Sequence, residues 1–195
     1  MKLDETFWSE RYRQQQTGWD AGAVTTPIKA YIDQLTDKSQ RILVPGCGYG
    51  HEVRYLHDKG FTKVQVIDIS PEPLAALRPQ CPAWPDSAFV HGDFFAHQGA
   101  YDLILEQTFF CALDPAQRAD YARKMHDLLI PGGKLAGVLF NVEFDKPGPP
   151  FGGTAQEYEA YFRDLFRFKV FEPCYNSIKP RAGNELFIIL EKPGK

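Results

Sequence analysis

The chain has no run of eighteen apolar residues, no cysteines at metal or redox spacing, no block of like charge and no internal repeat. Each absence removes a class of protein. Without a long apolar run there is no candidate transmembrane helix, and residues 1–6 carry charge where a signal peptide needs an apolar stretch, so a cytoplasmic protein with no membrane partner is expected. Cys47, Cys81, Cys111 and Cys174 stand far apart, which predicts neither a disulfide framework nor a zinc site, and no metal is expected. The 22 Lys and Arg nearly balance the 25 Asp and Glu, for a formal charge of −3, so nothing marks a nucleic-acid surface. A small-molecule partner is left, for a monomer or weak dimer. No Ser/Gly-rich linker breaks the 195 residues, and that length suits a single domain spanning 1–195.

From residue 40 onward, short β-branched or aliphatic runs alternate with segments of helical period, as in parallel strands joined by crossover helices. The runs at 41–44, 63–67, 87–91, 101–106, 134–140, 168–175 and 185–191 are predicted strands; 52–59, 72–77, 116–129 and 155–166 are predicted helices. Ser70-Pro71 and Asp114-Pro115 read as helix starts and Gly132-Gly133 as the stop of the long helix. The short loop between the last two strands, with Lys179-Pro180-Arg181, suits an antiparallel hairpin. A mainly parallel seven-stranded α/β sheet, with helices on both faces and an antiparallel C-terminal edge, is therefore expected over residues 39–195. Residues 5–16 and 27–36 look helical too, which makes 1–38 an N-terminal lid segment outside the repeating unit.

Chemistry enters at LVPGCGYG, residues 43–50, where an apolar strand runs into glycines and then a helix. Backbone N–H groups and a helix N-terminus at the carboxyl edge of a sheet receive an anionic group. A dinucleotide loop would place glycines at 46, 48 and 51, but 51 is His and the third glycine is Gly50. That spacing favours the smaller methionine carboxylate of S-adenosylmethionine, with Gly46 and Gly48 beside it. Asp68, about twenty residues further on at the end of VQVIDIS, suits the ribose hydroxyls. In HGDFF, Asp93 suits the adenine amine and Phe94 the adenine ring.

FWSERYRQQQTGWD at 7–20, LVPGCGYGHE at 43–52, HGDFF at 91–95 and YDLILEQTFFCAL at 101–113 resemble the thiopurine S-methyltransferase family, in particular its halide/thiol methyltransferase branch. The resemblance covers most of the chain. It implies a Rossmann-like class I methyltransferase, with Trp8, Tyr12, Trp19, Gly46, Asp68, Asp93, Phe94 and Gln107 on positions that line the cofactor or the acceptor. Two positions depart from the branch: Tyr12 stands where those enzymes often have Trp, and Gln107 where they often have Tyr and the thiopurine enzymes Arg. Because position 107 faces the reacting centre in the family, acceptor choice is where this chain should differ.

The chemistry is consistent with that assignment. A soft anion needs little proton removal, and its charge cancels that of the sulfonium in the transition state, so a dry aromatic pocket favours transfer. Trp8, Tyr12, Trp19, Phe109, Phe110 and Phe151 are candidates for that pocket, with Gln107 and Glu106 as the polar groups that would orient the acceptor. Two rivals use the same crevice. A nicotinamide-dependent oxidoreductase is disfavoured by His51 and by Asp93-Phe94, and a binding-only module would retain S-adenosylmethionine without releasing S-adenosylhomocysteine.

Overall fold

The computed structural model describes residues 2–194. Its strands are β1 Ile42–Pro45, β2 Val64–Asp68, β3 Phe89–His91, β4 Tyr101–Gln107, β5 Leu129–Phe140, β6 Arg167–Pro173 and β7 Glu185–Glu191. They form one sheet in the order β3-β2-β1-β4-β5-β7-β6. The first five run parallel, while β7 lies antiparallel between β5 and the outermost β6. Strand order reverses at β1 and β4, which opens a crevice at their carboxyl ends.

Side-chain alternation builds the two cores. Ile42, Val44, Val66, Leu103 and Leu105 point to one face and meet Ile28 and Ile32 of α2 (Thr26–Asp33), Val53 and Leu56 of α3 (His51–Asp58) and Leu74 and Leu77 of α4 (Pro71–Leu77). Leu43, Ile67, Ile104 and Leu135 point to the other face, against Tyr121 and Met125 of α5 (Arg118–Leu128) and Tyr158 and Phe162 of α6 (Ala155–Phe162). With both faces covered, the strand ends form a fixed platform. Helix α1 (Glu5–Arg13) is tied to the start of α4 by a hydrogen bond between the Ser9 and Ser70 hydroxyls, 2.9 Å, and by Arg13 to Glu72, 2.6 Å.

Gly132-Gly133 does not stop α5. The helix ends at Leu128, and Leu129 already pairs with Tyr101 as part of β5. Pro131 is the physical reason, since it bars the residue before it from helical geometry. The glycines instead form an irregular stretch inside β5, where Gly132 adopts φ +80 and donates to the Lys192 carbonyl at 2.8 Å. Asp114 does cap as expected, accepting from Ala116 N–H at 2.9 Å, but it starts a short 3-10 turn ahead of α5. Ser70 flanks α4 without a side-chain cap; its own N–H goes to Asp68. Helix α6 stops four residues short of the expected 166, and β6 ends at Pro173.

Candidate cofactor and acceptor site

A cavity of about 770 Å³ occupies the crevice at the ends of β1, β2 and β4. Its floor is the loop after β1. Gly46 and Gly48 both take left-handed backbone angles, φ +65 and +53, which a side chain disfavours. A Cβ at position 46 would lie 2.5 Å from the Phe109 ring, so the loop and the acceptor turn interlock.

Asp68 lies at one side of the floor, 7% exposed. One carboxylate oxygen accepts from Cys47 N–H at 3.0 Å and the other from Ser70 N–H at 2.8 Å. Burial pushes its carboxyl up to about 6, and the two N–H groups pull the other way. Asp68 therefore shapes the glycine loop as well as facing the cavity, a second role beside the ribose contact expected of it. Asp68→Ala is accordingly expected to do two things. The orphaned N–H groups should cost about 1–3 kcal/mol of stability, and S-adenosylhomocysteine affinity should fall about tenfold or more. Thermal melts with calorimetric titration check this, and a melt shift without loss of affinity would confine Asp68 to the loop.

Asp93 and Phe94 also line the cavity, after β3. Asp93 is exposed and accepts from Phe95 N–H at 2.9 Å, which sets the turn that presents Phe94. The N-terminal segment supplies the opposite wall. Trp8, Tyr12 and Trp19 are half-buried, line the cavity, and meet edge to face, with ring centroids 5.7 Å apart for Trp8–Trp19 and 5.5 Å for Tyr12–Trp19. Residues 17–20 are pinned at three points. Thr17 and Tyr49 hydroxyls lie 3.2 Å apart, Asp20 meets His51 at 2.7 Å, and Arg181 donates to the Trp19 carbonyl at 2.8 Å.

The turn after β4 separates the expected acceptor residues into two groups. Gln107 and Phe109 line the cavity. Thr25 donates to the Gln107 amide oxygen at 2.8 Å, and the amide nitrogen, buried at the cavity wall, has no partner. Phe110 does not line the cavity. It is 1% exposed and packed on Tyr121 and Tyr158 in the core, because successive residues of the turn point to opposite sides. Phe151 is also outside the lining; its N–H donates to the Cys111 carbonyl at 2.7 Å, and Pro149 and Pro150 reach the cavity instead.

Glu106 corrects the sequence reading most sharply. It is fully buried, away from the cavity, with one oxygen accepting from Phe109 and Phe110 N–H at 2.8 and 3.0 Å and the other from the Tyr121 hydroxyl at 2.5 Å. Burial pushes its carboxyl up to about 7, opposed by these three donors. Its bonds brace a strained turn, since Thr108 holds φ +58, a conformation that costs a β-branched residue about 1–3 kcal/mol. Glu106 thus orients the turn and has no free oxygen to offer an acceptor.

Thr25, Glu52 and Arg181 line the cavity and were not found from sequence. Arg181 sits in a turn that the sequence marks only as a hairpin loop, and Thr25 in a stretch without motif. Glu52 had a signal, being an acid in the first turn of the helix that follows the glycine loop.

The residues present fit S-adenosylmethionine. A glycine floor too tight for a side chain at 46, a carboxylate at the end of β2, an aromatic wall and an unpartnered amide meet in one cavity. Over 97% of its length the fold matches a Burkholderia thailandensis 1,6-didemethyltoxoflavin-N1-methyltransferase solved with S-adenosylhomocysteine, covering 87% of that chain at TM-score 0.74 and 20% identity. Fold and site define a Rossmann-like S-adenosylmethionine-dependent methyltransferase. Within that class the chain belongs to the thiopurine S-methyltransferase family, whose model matches residues 3–187. Its relatives include the probable thiol methyltransferase 2 of Arabidopsis thaliana, 32% identical over 91% of this chain and 81% of that protein. Thiocyanate methyltransferase 1 of the same plant is 30% identical over 94% and 83%.

Proposed function

We propose that the chain acts as one domain over residues 1–195, a cytoplasmic monomer or weak dimer that transfers a methyl group to a small soft anion. Thiolates, thiopurines and halides are the acceptor class. The observation that carries this reading is the acceptor wall itself, where the Gln107 amide nitrogen is buried without a hydrogen-bond partner, set among Trp19, Phe109 and the neighbouring aromatics. An N–H donor suits an anion, and the Arg181 guanidinium in the same wall adds positive charge. The carboxylate expected there, Glu106, is turned into the core. The names of the thiol and thiocyanate relatives support the same acceptor class.

When bound, S-adenosylmethionine supplies an electrophilic methyl on a sulfonium. The loop at 46–50 would receive its methionine carboxylate, Asp68 its ribose, and Asp93 with Phe94 its adenine. Trp8, Tyr12 and Trp19 would offer ring faces to the positive sulfur. Of the lid expected at 1–38, α2 is packed into the core through Ile28 and Ile32, so the segment ahead of α2 serves as the lid, with Trp19 as its working edge. By closing the crevice these side chains exclude water and fix the line of approach, with Gln107 holding the acceptor.

Two measurements test the reading. S-adenosylmethionine should raise the melting temperature while NAD leaves it unchanged, because a ligand bound only by the folded state stabilises by mass action; a shift with NAD alone would overturn the cofactor. A screen of thiols, thiopurines, thiocyanate and halides, together with amines and hydroxyl compounds, should then release S-adenosylhomocysteine with the soft acceptors. Turnover confined to amines or hydroxyls would overturn the acceptor class.

A further inference from the structure

Four acids are buried at or next to the crevice: Glu52, Asp68, Glu106 and Glu185. Three are occupied. Asp68 holds two backbone N–H groups, Glu106 holds three donors, and Glu185 faces Arg181 at 3.7 Å. Glu52 differs. It is 8% exposed and lines the cavity, and among the described residues its carboxylate meets only its own backbone N–H, with no ion pair and no hydrogen bond to another residue. A carboxylate so nearly removed from water without a counter-ion is costly, so its position suits a cation that the polypeptide does not place there.

The cofactor carries one where it is needed. Glu52 is the second residue of α3, directly after the glycine loop. The helix start and loop N–H groups suit the methionine carboxylate, and the ammonium is attached to the same carbon as that carboxylate. We propose that Glu52 binds the α-ammonium of the methionine end of S-adenosylmethionine. Burial pushes the Glu52 carboxyl up to about 7, opposed by its own backbone N–H and by Arg181, with Glu106 and Asp20 adding to the rise. An arriving ammonium stabilises the ionised form. The proposal rests on S-adenosylmethionine as cofactor and is independent of which acceptor is methylated.

The test compares two ligands on wild type and Glu52→Gln by calorimetric titration. S-adenosylhomocysteine carries the amino-acid end, and 5′-methylthioadenosine is the same nucleoside thioether without it. The substitution should weaken S-adenosylhomocysteine about 10- to 100-fold, the loss of a charge-assisted hydrogen bond, and change 5′-methylthioadenosine by less than about twofold. The ligand-free melting temperature should hold or rise, because the amide removes an unpaired buried charge. An equal loss for both ligands, no loss for either, or a variant that fails to fold would each overturn the proposal. A slower turnover with unchanged S-adenosylhomocysteine affinity would do the same, assigning Glu52 to proton removal. Failure of the wild type to bind S-adenosylhomocysteine would instead strike at the cofactor itself.

Discussion

Glu106→Ala is expected to lower unfolding free energy by about 3 kcal/mol or more, because it strands three buried donors at about 1–3 kcal/mol each. The donors are Phe109 N–H, Phe110 N–H and the Tyr121 hydroxyl. In a chain of this size that corresponds to a fall in melting temperature of roughly 6–12 °C. Glu106→Gln keeps one acceptor oxygen for the two N–H groups and lets the Tyr121 hydroxyl turn to the amide, so it should cost about 1 kcal/mol. Turnover measured below both melting points should fall in Glu106→Ala more than in Glu106→Gln, since the turn that carries Gln107 and Phe109 is then released from its brace. Melts of the two variants within a degree of wild type would mean that the turn is held by something else.

The second large effect belongs to Trp19→Ala, which should cut kcat/KM about 10- to 100-fold, the scale of loss that a displaced reacting group produces. Trp19 is half-buried and belongs to neither apolar core. Its contacts are the rings of Trp8 and Tyr12 and the crevice itself. Ligand-free stability should therefore drop by less than about 1 kcal/mol, against the 3–5 kcal/mol that truncating a core tryptophan costs. In a Trp8→Phe/Trp84→Phe background the remaining Trp19 fluorescence should change on adding S-adenosylmethionine. A large loss of ligand-free stability with undiminished turnover would make Trp19 a structural anchor and remove the lid.

What could be read in advance is what backbone periodicity and glycine dictate. Strands β1 to β4 and β7 fall where short apolar runs stand, and Gly46, Asp68, Asp93 and Phe94 end or follow strands whose carboxyl ends share one edge. Three features resisted, each for a physical reason. Glu106 and Gln107 are adjacent polar residues at the end of β4 whose side chains alternate to opposite faces, and only the tertiary packing decides that the first is closed in by Tyr121 while the second faces the cavity. Phe109 and Phe110 have the same composition signature and opposite sides. Arg181 and Thr25 reach the site by long-range folding, 162 residues from Trp19 and 82 from Gln107 respectively. Pattern within a window cannot register such distances.

The interlock of Gly46 with Phe109 also bears on how such a protein can change. Because the ring fills the space a side chain at 46 would need, position 46 is held to glycine while Phe109 stays. A side chain at 46 would disturb the glycine-loop floor and the acceptor turn together. Position 107, the Pro149-Pro150 loop and the hairpin tip bearing Arg181 touch the cavity without underlying that floor. New acceptor preferences are therefore most easily acquired at these peripheral positions, by selection or by directed mutagenesis, with the methyl-donor half of the enzyme passed on intact.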